Sequence, residues 1–480
     1  MKKIKLNLMT FALPIRQSIN LCLIFTLLFS QSCSDFLEIA PPRTEQVTET
    51  VFSTAATANA AITSIYSQME NEKNLPYYIS LYTGLYSDEL KNYSSIPDLL
   101  QFYTNSINPQ NGYLYSDLWQ SFYTYIYQAN AAITAINNSN TLPNELRTQL
   151  KGESLFIRAF CNFYLVNFFS DIPLVLTTDY KLNSNISRSP SDTIYYQIKK
   201  DLLEAIDLLN SDYVGMDGTS IITDRVRPNK WSAAALLARV YLYTKEYKSA
   251  ELQATNVIQQ TRYYNLENDI NLVFLKNSSE TIWALQPYAD YGFNTPEGNK
   301  FILNGPPSNA TTGNCTAISR GLLEAFENGD TRRSSWIGQY DTLKFPFKYK
   351  IQNESVLKEY SVVFRLSEMY LIRAESHLYQ GKLQEAVSDL NTIRRRANLE
   401  DKNISNREII LNWITHERQV ELFCEWGHRL LDIKRLNIAN TIMPGASIRK
   451  GGSWTDYKIN LPVPQIERLN NPTLSQNTGY

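Results

Sequence analysis

Tyr243-Thr244-Lys245-Glu246-Tyr247-Lys248-Ser249-Ala250 and Tyr379-Gln380-Gly381-Lys382-Leu383-Gln384-Glu385-Ala386 are the same kind of joint, met twice in one chain. In each, a tyrosine closes an apolar helix, a short polar turn follows, and an alanine marks the inward face of a returning helix. The helix entering the first joint runs over residues 231–243, and its return continues to about residue 260. Its Ala233, Ala234, Ala235 and Ala238 are small enough to let a partner helix approach closely. The second joint lies between helices expected over 365–379 and 383–396. Working outward, helices are expected over 54–70, 114–136, 145–168, 192–209 and 409–425. Ile194, Ile198, Leu202, Ala205 and Leu209 fall at amphipathic spacing in the fourth of these. The region from about 71 to 110 reads as a polar, aromatic loop, and that after about 440 as an extended tail.

The paired joints resemble the helix–turn–helix unit of tetratricopeptide repeats. The units are not contiguous. Residues 261–360 part them, rich in Gly, Pro, Asn and Tyr. This organisation predicts a mainly α scaffold, about 50–260 and 360–440, carrying a large irregular lobe with short strands over about 261–360 and an extended tail over 441–480.

The chain opens on Met1-Lys2-Lys3-Ile4-Lys5 and reaches an apolar run over residues 21–29, followed by Ser30-Gln31-Ser32-Cys33. A basic start, a short apolar stretch and small residues before a cysteine are the pattern of a cleaved secretory leader. The run is too short to span a bilayer. We read residues 1–32 as a lipoprotein signal peptide and Cys33 as the lipid anchor of a mature body spanning 33–480. An ordinary signal peptide with an incidental cysteine is the bland alternative. Residues 1–32 hold four basic side chains and no acidic one, so their removal moves the formal net charge from -1 to -5. Such a body has no electrostatic reason to bind nucleic acid. Cys161, Cys315 and Cys424 are scattered, form no CxxC, and read as buried thiols. Tyrosine is abundant at 31 residues, beside 20 Phe and 7 Trp, a composition suited both to helix packing and to stacking against sugar rings or peptides.

Several motifs now fall in one order. Cys33-Ser34-Asp35-Phe36-Leu37-Glu38 starts the body. Arg365-Leu366-Ser367-Glu368-Met369-Tyr370-Leu371-Ile372-Arg373-Ala374-Glu375 forms a central helix. Glu417-Arg418-Gln419-Val420-Glu421-Leu422 leads to Glu425-Trp426-Gly427-His428-Arg429-Leu430-Leu431-Asp432-Ile433-Lys434-Arg435. Leu461-Pro462-Val463-Pro464 and Asn471-Pro472-Thr473-Leu474 close the chain. Together they resemble the SusD/RagB family of outer-membrane nutrient-uptake lipoproteins, over residues 33–480. The resemblance implies a SusD-like scaffold of about four tetratricopeptide-like helix pairs. It implies a lipid-anchored protein on the outside of the outer membrane that binds oligosaccharide or polysaccharide and passes it, without catalysis, to a SusC/RagA-like TonB-dependent barrel. A peptide cargo, or a structural lipoprotein that binds no ligand, are the alternatives.

Within that resemblance the ligand is expected at the early loop and in the lobe. Asp88, Glu89, Asn92 and Tyr93 offer carboxylates, an amide and a ring; Asp88 and Glu89 read equally as loop-fixing acceptors of backbone N–H groups. Trp283, Tyr288, Tyr291 and Trp336 offer platforms in the lobe, although Trp283 lies in a strand-like alternation that also suits a core. Asp330 and Arg332 resemble a structural pair that pins a turn. The charges Arg373, Glu375, Glu417, Arg418, Glu421, Glu425 and Arg429 read as a structural network rather than a catalytic one. His377, His416 and His428 form no zincin motif, and there is no nucleophile elbow, Walker loop or dinucleotide fingerprint. No cofactor or metal is expected. A surface glycoside hydrolase is the enzymatic rival, but no carboxylate pair stands out. The modest acidic balance disfavours a highly acidic polysaccharide unless Arg332, Arg333 or Lys300 lies in the site.

Overall fold

The two joints found in the sequence dock on each other. Tyr247, which opens one returning helix, stacks on Tyr379, which ends the other outgoing helix, with ring centroids 4.2 Å apart and planes 4° from parallel. Both joints turn through a left-handed residue at the same position, Lys245 at φ 61° and Gly381 at φ 79°. Glycine takes that conformation freely; lysine holds it because the flanking helices dictate it.

The structure is a computed structural model and describes residues 50–480, which fold as one compact unit. The leader and the Cys33 anchor lie outside the described residues. Helices of eight residues or more are labelled in chain order: α1 Ala55–Ser67, α2 Leu75–Tyr86, α3 Ser121–Asn138, α4 Asn144–Phe169, α5 Ser191–Leu208, α6 Lys230–Tyr243, α7 Tyr247–Ile258, α8 Leu366–Tyr379, α9 Leu383–Arg396, α10 Arg407–Glu421, α11 His428–Arg435 and α12 Ala439–Arg449. The scaffold is a stack in which α3 packs on α4, α4 on α5, α5 on α6, α6 on α7, α7 on α8 and α8 on α9. Helices α7 and α8 are neighbours although the whole lobe lies between them in sequence. Local chemistry sets the starts: Thr54 caps α1, Asn229 and Ser232 form a capping box on α6, and Asn406 caps α10.

The strands are short and pair antiparallel in twos. β1 Leu90–Asn92 pairs with β7 Thr316–Ile318, β2 Ile172–Pro173 with β3 Arg188–Ser189, and β4 Tyr213–Val214 with β5 Ile221–Ile222. β6 Thr281–Leu285 pairs with β10 Ser361–Arg365, and β8 Ile337–Tyr340 with β9 Leu343–Pro346. Among the described residues, no helix is long and apolar enough to cross a membrane. Cys161, Cys315 and Cys424 are buried free thiols.

Two stretches differ from the sequence reading. The expected early loop contains α2 and a short helix, Pro97–Tyr103. Almost every residue of α2 is buried, so its sequence lacks the polar stripe that reveals a surface helix. The expected extended tail contains α12 and a short helix, Gln465–Asn470. Pro444 lies inside α12 and masks it in sequence.

Scaffold and lobe are joined by buried charges. Glu421, at the end of α10, is fully enclosed and accepts from Arg365, Arg396 and Arg332. Arg332 also grips Asp330 at 2.8 Å and Glu417 at 2.6 Å, and Arg396 pairs with Glu280. Burial alone would raise the Glu421 carboxyl; the surrounding guanidinium groups outweigh it and hold the group well below the carboxylate range. Arg418 and Arg435 bracket Asp432, and Arg435 reaches Glu375. Arg373 instead pairs with Asp389. Glu421→Gln removes the charge on which three guanidinium groups converge. It is expected to cost about 3–5 kcal/mol, read as a lower urea midpoint.

A second buried acid cluster behaves oppositely. Glu70 and Glu297 share the Ser361 hydroxyl, at 2.8 and 2.7 Å. One hydroxyl proton serves only one acceptor, so one carboxyl must supply its own proton to the arrangement. Burial raises Glu70 well above its ordinary value and pushes Glu297 up to about 7. Between pH 4.5 and 7 the unfolded chain releases this proton while the folded chain keeps it, so this contribution to stability falls as pH rises. Glu297→Gln should therefore gain on the wild type, by on the order of 2 kcal/mol, between pH 5 and pH 8 in paired urea titrations. An unchanged difference across that range would exclude a raised Glu297.

Candidate ligand-binding site

Helix α2 lays a ladder of tyrosines beside the lobe. Tyr78 and Tyr82, four residues apart, stack at 5.5 Å. Tyr82 continues the stack onto Phe102 at 4.7 Å and Tyr113 at 5.7 Å, and its hydroxyl donates to Asp117 at 2.6 Å. Tyr77 donates to the Thr312 carbonyl at 2.6 Å, and the Tyr78 hydroxyl lies 3.3 Å from Thr312 Oγ1. Tyr78, Tyr103 and Tyr113 are half-buried, with ring surface left at the edge of the protein.

The β1–β7 ladder brings the early loop to the lobe. Tyr93 N–H donates to the Cys315 carbonyl at 2.8 Å, and Ser95 N–H to Asn309 at 2.8 Å. The lobe's contribution is thus the loop 304–315, which holds Gly, Pro, Ser, Asn and Thr. Tyr93 is half-buried, with Lys91 Nζ 4.8 Å from its ring centroid. Lys300 Nζ stands 5.8 Å from the Tyr77 ring and 6.0 Å from Tyr78. Burial draws the Lys300 ammonium below its ordinary value.

A second aromatic group projects from the lobe. Tyr288 and Tyr291 are each 47% exposed and meet edge to face at 5.5 Å; Tyr291 stacks on Phe293 at 5.7 Å. Asn71 Oδ1 receives the Tyr288 N–H at 2.7 Å, and Ser67 bonds the Tyr288 hydroxyl. Gly292, at φ 69°, closes the turn. Ser67 and Asn71 therefore hold this group, while Tyr77 and Tyr78, a few residues on, hold the other.

The expected site residues separate into three kinds. Tyr93, Tyr288 and Tyr291 present ring surface. Asn92 is half-buried and binds its own loop, accepting from Ser94 N–H and donating to the Ser94 carbonyl. The remaining four are corrected to structural roles. Trp283 is fully buried against Phe156, Phe160 and Tyr66, with its N–H on the Val226 carbonyl. Trp336 is fully buried, bonds the Ile270 carbonyl at 3.0 Å and lies under Lys348, Arg365 and Arg396. Asp88 is held by Arg429 through two bonds of 2.8 and 2.7 Å. Burial works to raise its carboxyl, but the guanidinium wins and lowers it. Glu89 is 1% exposed, accepts from Cys424 N–H at 3.1 Å, and is pushed up to about 8 by burial. Tyr78, Tyr103 and Tyr113 are not singled out by the sequence, and Lys300 is named there only as a cation for an acidic ligand; the turn-rich loop 304–315 is the signal for where the lobe meets them.

Glu327, His416 and Glu417 bring their ligand atoms within 4.8 Å of one another. Each is already engaged: Glu327 by Arg394 and Lys402, Glu417 by Arg332 and Arg394, and His416 Nε2 by the Ala325 carbonyl at 2.7 Å. The trio is a charge-balanced part of the frame.

Comparison with known proteins agrees with this architecture. Residues 35–242 match a family described as starch-binding and associating with the outer membrane, and residues 338–480 match the SusD family. SusD-like protein P25 of Formosa agariphila is 26% identical, with 96% of this chain and 99% of that one aligned. The starch-binding protein SusD of Bacteroides thetaiotaomicron is 34% identical over 125 residues, which cover 25% of this chain and 21% of that protein. A SusD superfamily protein of Bacteroides vulgatus superposes with a TM-score of 0.76 at 21% identity, covering 89% of this chain and 99% of that one. A laminarin-binding SusD-like protein gives 0.72 at 22% identity, covering 89% and 99%. With helix pairs, lobe and both ends of the chain matched, this chain belongs to the SusD/RagB family of non-catalytic, glycan-binding proteins associated with the outer membrane.

Proposed function

We propose that this chain is a surface-exposed lipoprotein, anchored through Cys33, that captures oligosaccharide or polysaccharide at the tyrosine-lined edge between α2, β1 and the 304–315 loop. It passes the captured glycan to a SusC-like TonB-dependent barrel. The observation that carries the reading is the clustering of Tyr78, Tyr93, Tyr103 and Tyr113 where the early loop meets the lobe. A sugar's C–H face stacks on such rings, while its hydroxyls take hydrogen bonds from Asn, Ser and Thr groups of the loop. Tyr288 and Tyr291 offer a second contact for a longer chain. The two carboxylates beside the rings serve the fold: Asp98 accepts Gly112 N–H at 2.8 Å, and Asp117 accepts from Tyr82 and Ser116. That arrangement supports holding a glycan rather than cleaving it. The relatives that bind starch and laminarin support a glycan cargo.

Calorimetry of the 50–480 body against a glycan panel and a mixed peptide pool tests the reading. A saturable glycan signal without product is expected. Tyr93→Ala should weaken it roughly tenfold while leaving the melting temperature within a few degrees, because the ring is half-exposed. Binding confined to peptides would replace the cargo. In cells, Cys33→Ala should move the protein out of the outer-membrane fraction; retention there would refute the anchor.

A further inference from the structure

Elsewhere in this protein a buried cation is answered. Arg227 meets Glu153, Arg239 meets Glu368, and Lys348 meets Glu425. Lys450 is caged by the carbonyls of Leu85, Tyr86 and Ser87, and Lys434 donates to the Asn167 carbonyl. Lys300 is different. It is half-buried, yet among the described residues its ammonium has neither a carboxylate nor a carbonyl partner; its neighbours are the Tyr77 and Tyr78 rings and the Cys315 thiol. Its position is built. The side-chain stem passes over Gly313, where an added Cβ would lie 3.4 Å from Lys300 Cγ, and the Lys300 carbonyl accepts Asn314 N–H at 2.7 Å. The 304–315 loop therefore fixes the lysine against the tyrosines.

A second lysine, Lys91 of β1, stands over Tyr93, although it is exposed rather than half-buried. Asp88 is committed to Arg429, and Asp117, which accepts from Tyr82 and Ser116, has Lys73 as its neighbouring cation; neither pairs with Lys300 or Lys91 among the described residues. Leaving a half-buried ammonium without an anion costs stability, and the cost is recovered when a ligand supplies one. We propose that the site takes an anionic glycan, with a sugar carboxylate or sulfate received by Lys300 and the chain continuing across Tyr78 toward Lys91. Arg332 is buried with Asp330, Glu417 and Glu421 and takes no part. The proposal rests on the reading of the tyrosine edge as a glycan site.

The test separates the two. The 50–480 body is titrated calorimetrically with oligogalacturonate, a sulfated galactan oligosaccharide, laminarin and starch, each at 50 and 300 mM NaCl. Expected is binding of oligogalacturonate or the sulfated galactan, falling severalfold at the higher salt. The arm that binds distinguishes carboxylate from sulfate. Lys300→Gln should lose roughly tenfold or more, whereas Lys300→Arg keeps most of the affinity. Lys91→Gln gives a smaller loss in the same direction, and melting temperatures confirm that all variants fold. Salt-insensitive binding of laminarin or starch, unchanged by Lys300→Gln, overturns the anionic assignment and leaves the receptor reading standing. Anionic binding that ignores Lys300→Gln also overturns it. Failure of the wild type to bind any of the four takes down both readings.

Discussion

Glu421 is the point on which this structure turns. One carboxylate on the last turn of α10 receives Arg365 from the end of β10, Arg396 from the end of α9 and Arg332 from a lobe turn. These elements are distant in sequence, and the apolar contacts between them are not directional. Three guanidinium groups on one carboxylate define an arrangement in which none of the charges is left alone, and misplacing any element strands a buried ion. The neighbouring acids Asp330, Glu417, Glu280 and Glu425 balance the remaining positive charge. Such a network adds less net stability than its bonds suggest, because desolvation is paid on each ion. We infer that its main effect is to fix how the lobe sits on the helix stack.

The same device reaches the candidate site from beneath. Arg429, at the start of α11, grips Asp88, and Lys450, just past α12, takes the carbonyls of Leu85, Tyr86 and Ser87 at the end of α2. Those carbonyls are the unpaired end of α2, and a lysine is a fitting partner for a helix C-terminus. The strand carrying Lys91 and leading to Tyr93 thus starts from a clamped point. From above, Cys315 and Asn309 accept the backbone N–H groups of Tyr93 and Ser95. Residues held this way would need little ordering on meeting a ligand, which lowers the entropic cost of the proposed capture.

How much of this was legible in the chain follows from what each residue has to do. The helix pairs α5–α6, α6–α7 and α8–α9 declared themselves because amphipathic spacing and turn chemistry are local. Residues 383–396 were placed to the residue. Helix α2 hid because it is buried all round, so periodicity carries no information there. The charge cluster reads as structural because acids at 417 and 421 share a face of α10 near arginines; Glu425, expected on the same helix, lies in the turn past its end. The platform choices failed where type was the only guide. Trp283 and Trp336 are large aromatics that an interior uses as readily as a groove, and only the tertiary neighbours Phe156, Phe160, Arg365 and Lys348 decide between them. Tyr93, Tyr288 and Tyr291 lie in segments with turn residues on either side, where solvent exposure is the default.

Asp88 and Lys300 show why charge must be read in pairs. Both are ionisable groups beside the same tyrosine edge, and in sequence Asp88 looked the better ligand contact. Its two oxygens are already spoken for by one guanidinium, so a sugar hydroxyl would have to displace a bidentate ion pair to use them. Among the described residues Lys300 has the π faces of two rings and a neighbouring thiol, interactions weaker than a direct ion pair and readily shared with an incoming anion. The group that is left incompletely satisfied by the fold is the one available to a ligand. On this ground the frame and the cargo are read from different residues. The buried ions maintain a shape that distant relatives share, and we infer that the lysine beside the turn-rich loop, left without an anion by the fold, carries this chain's own preference.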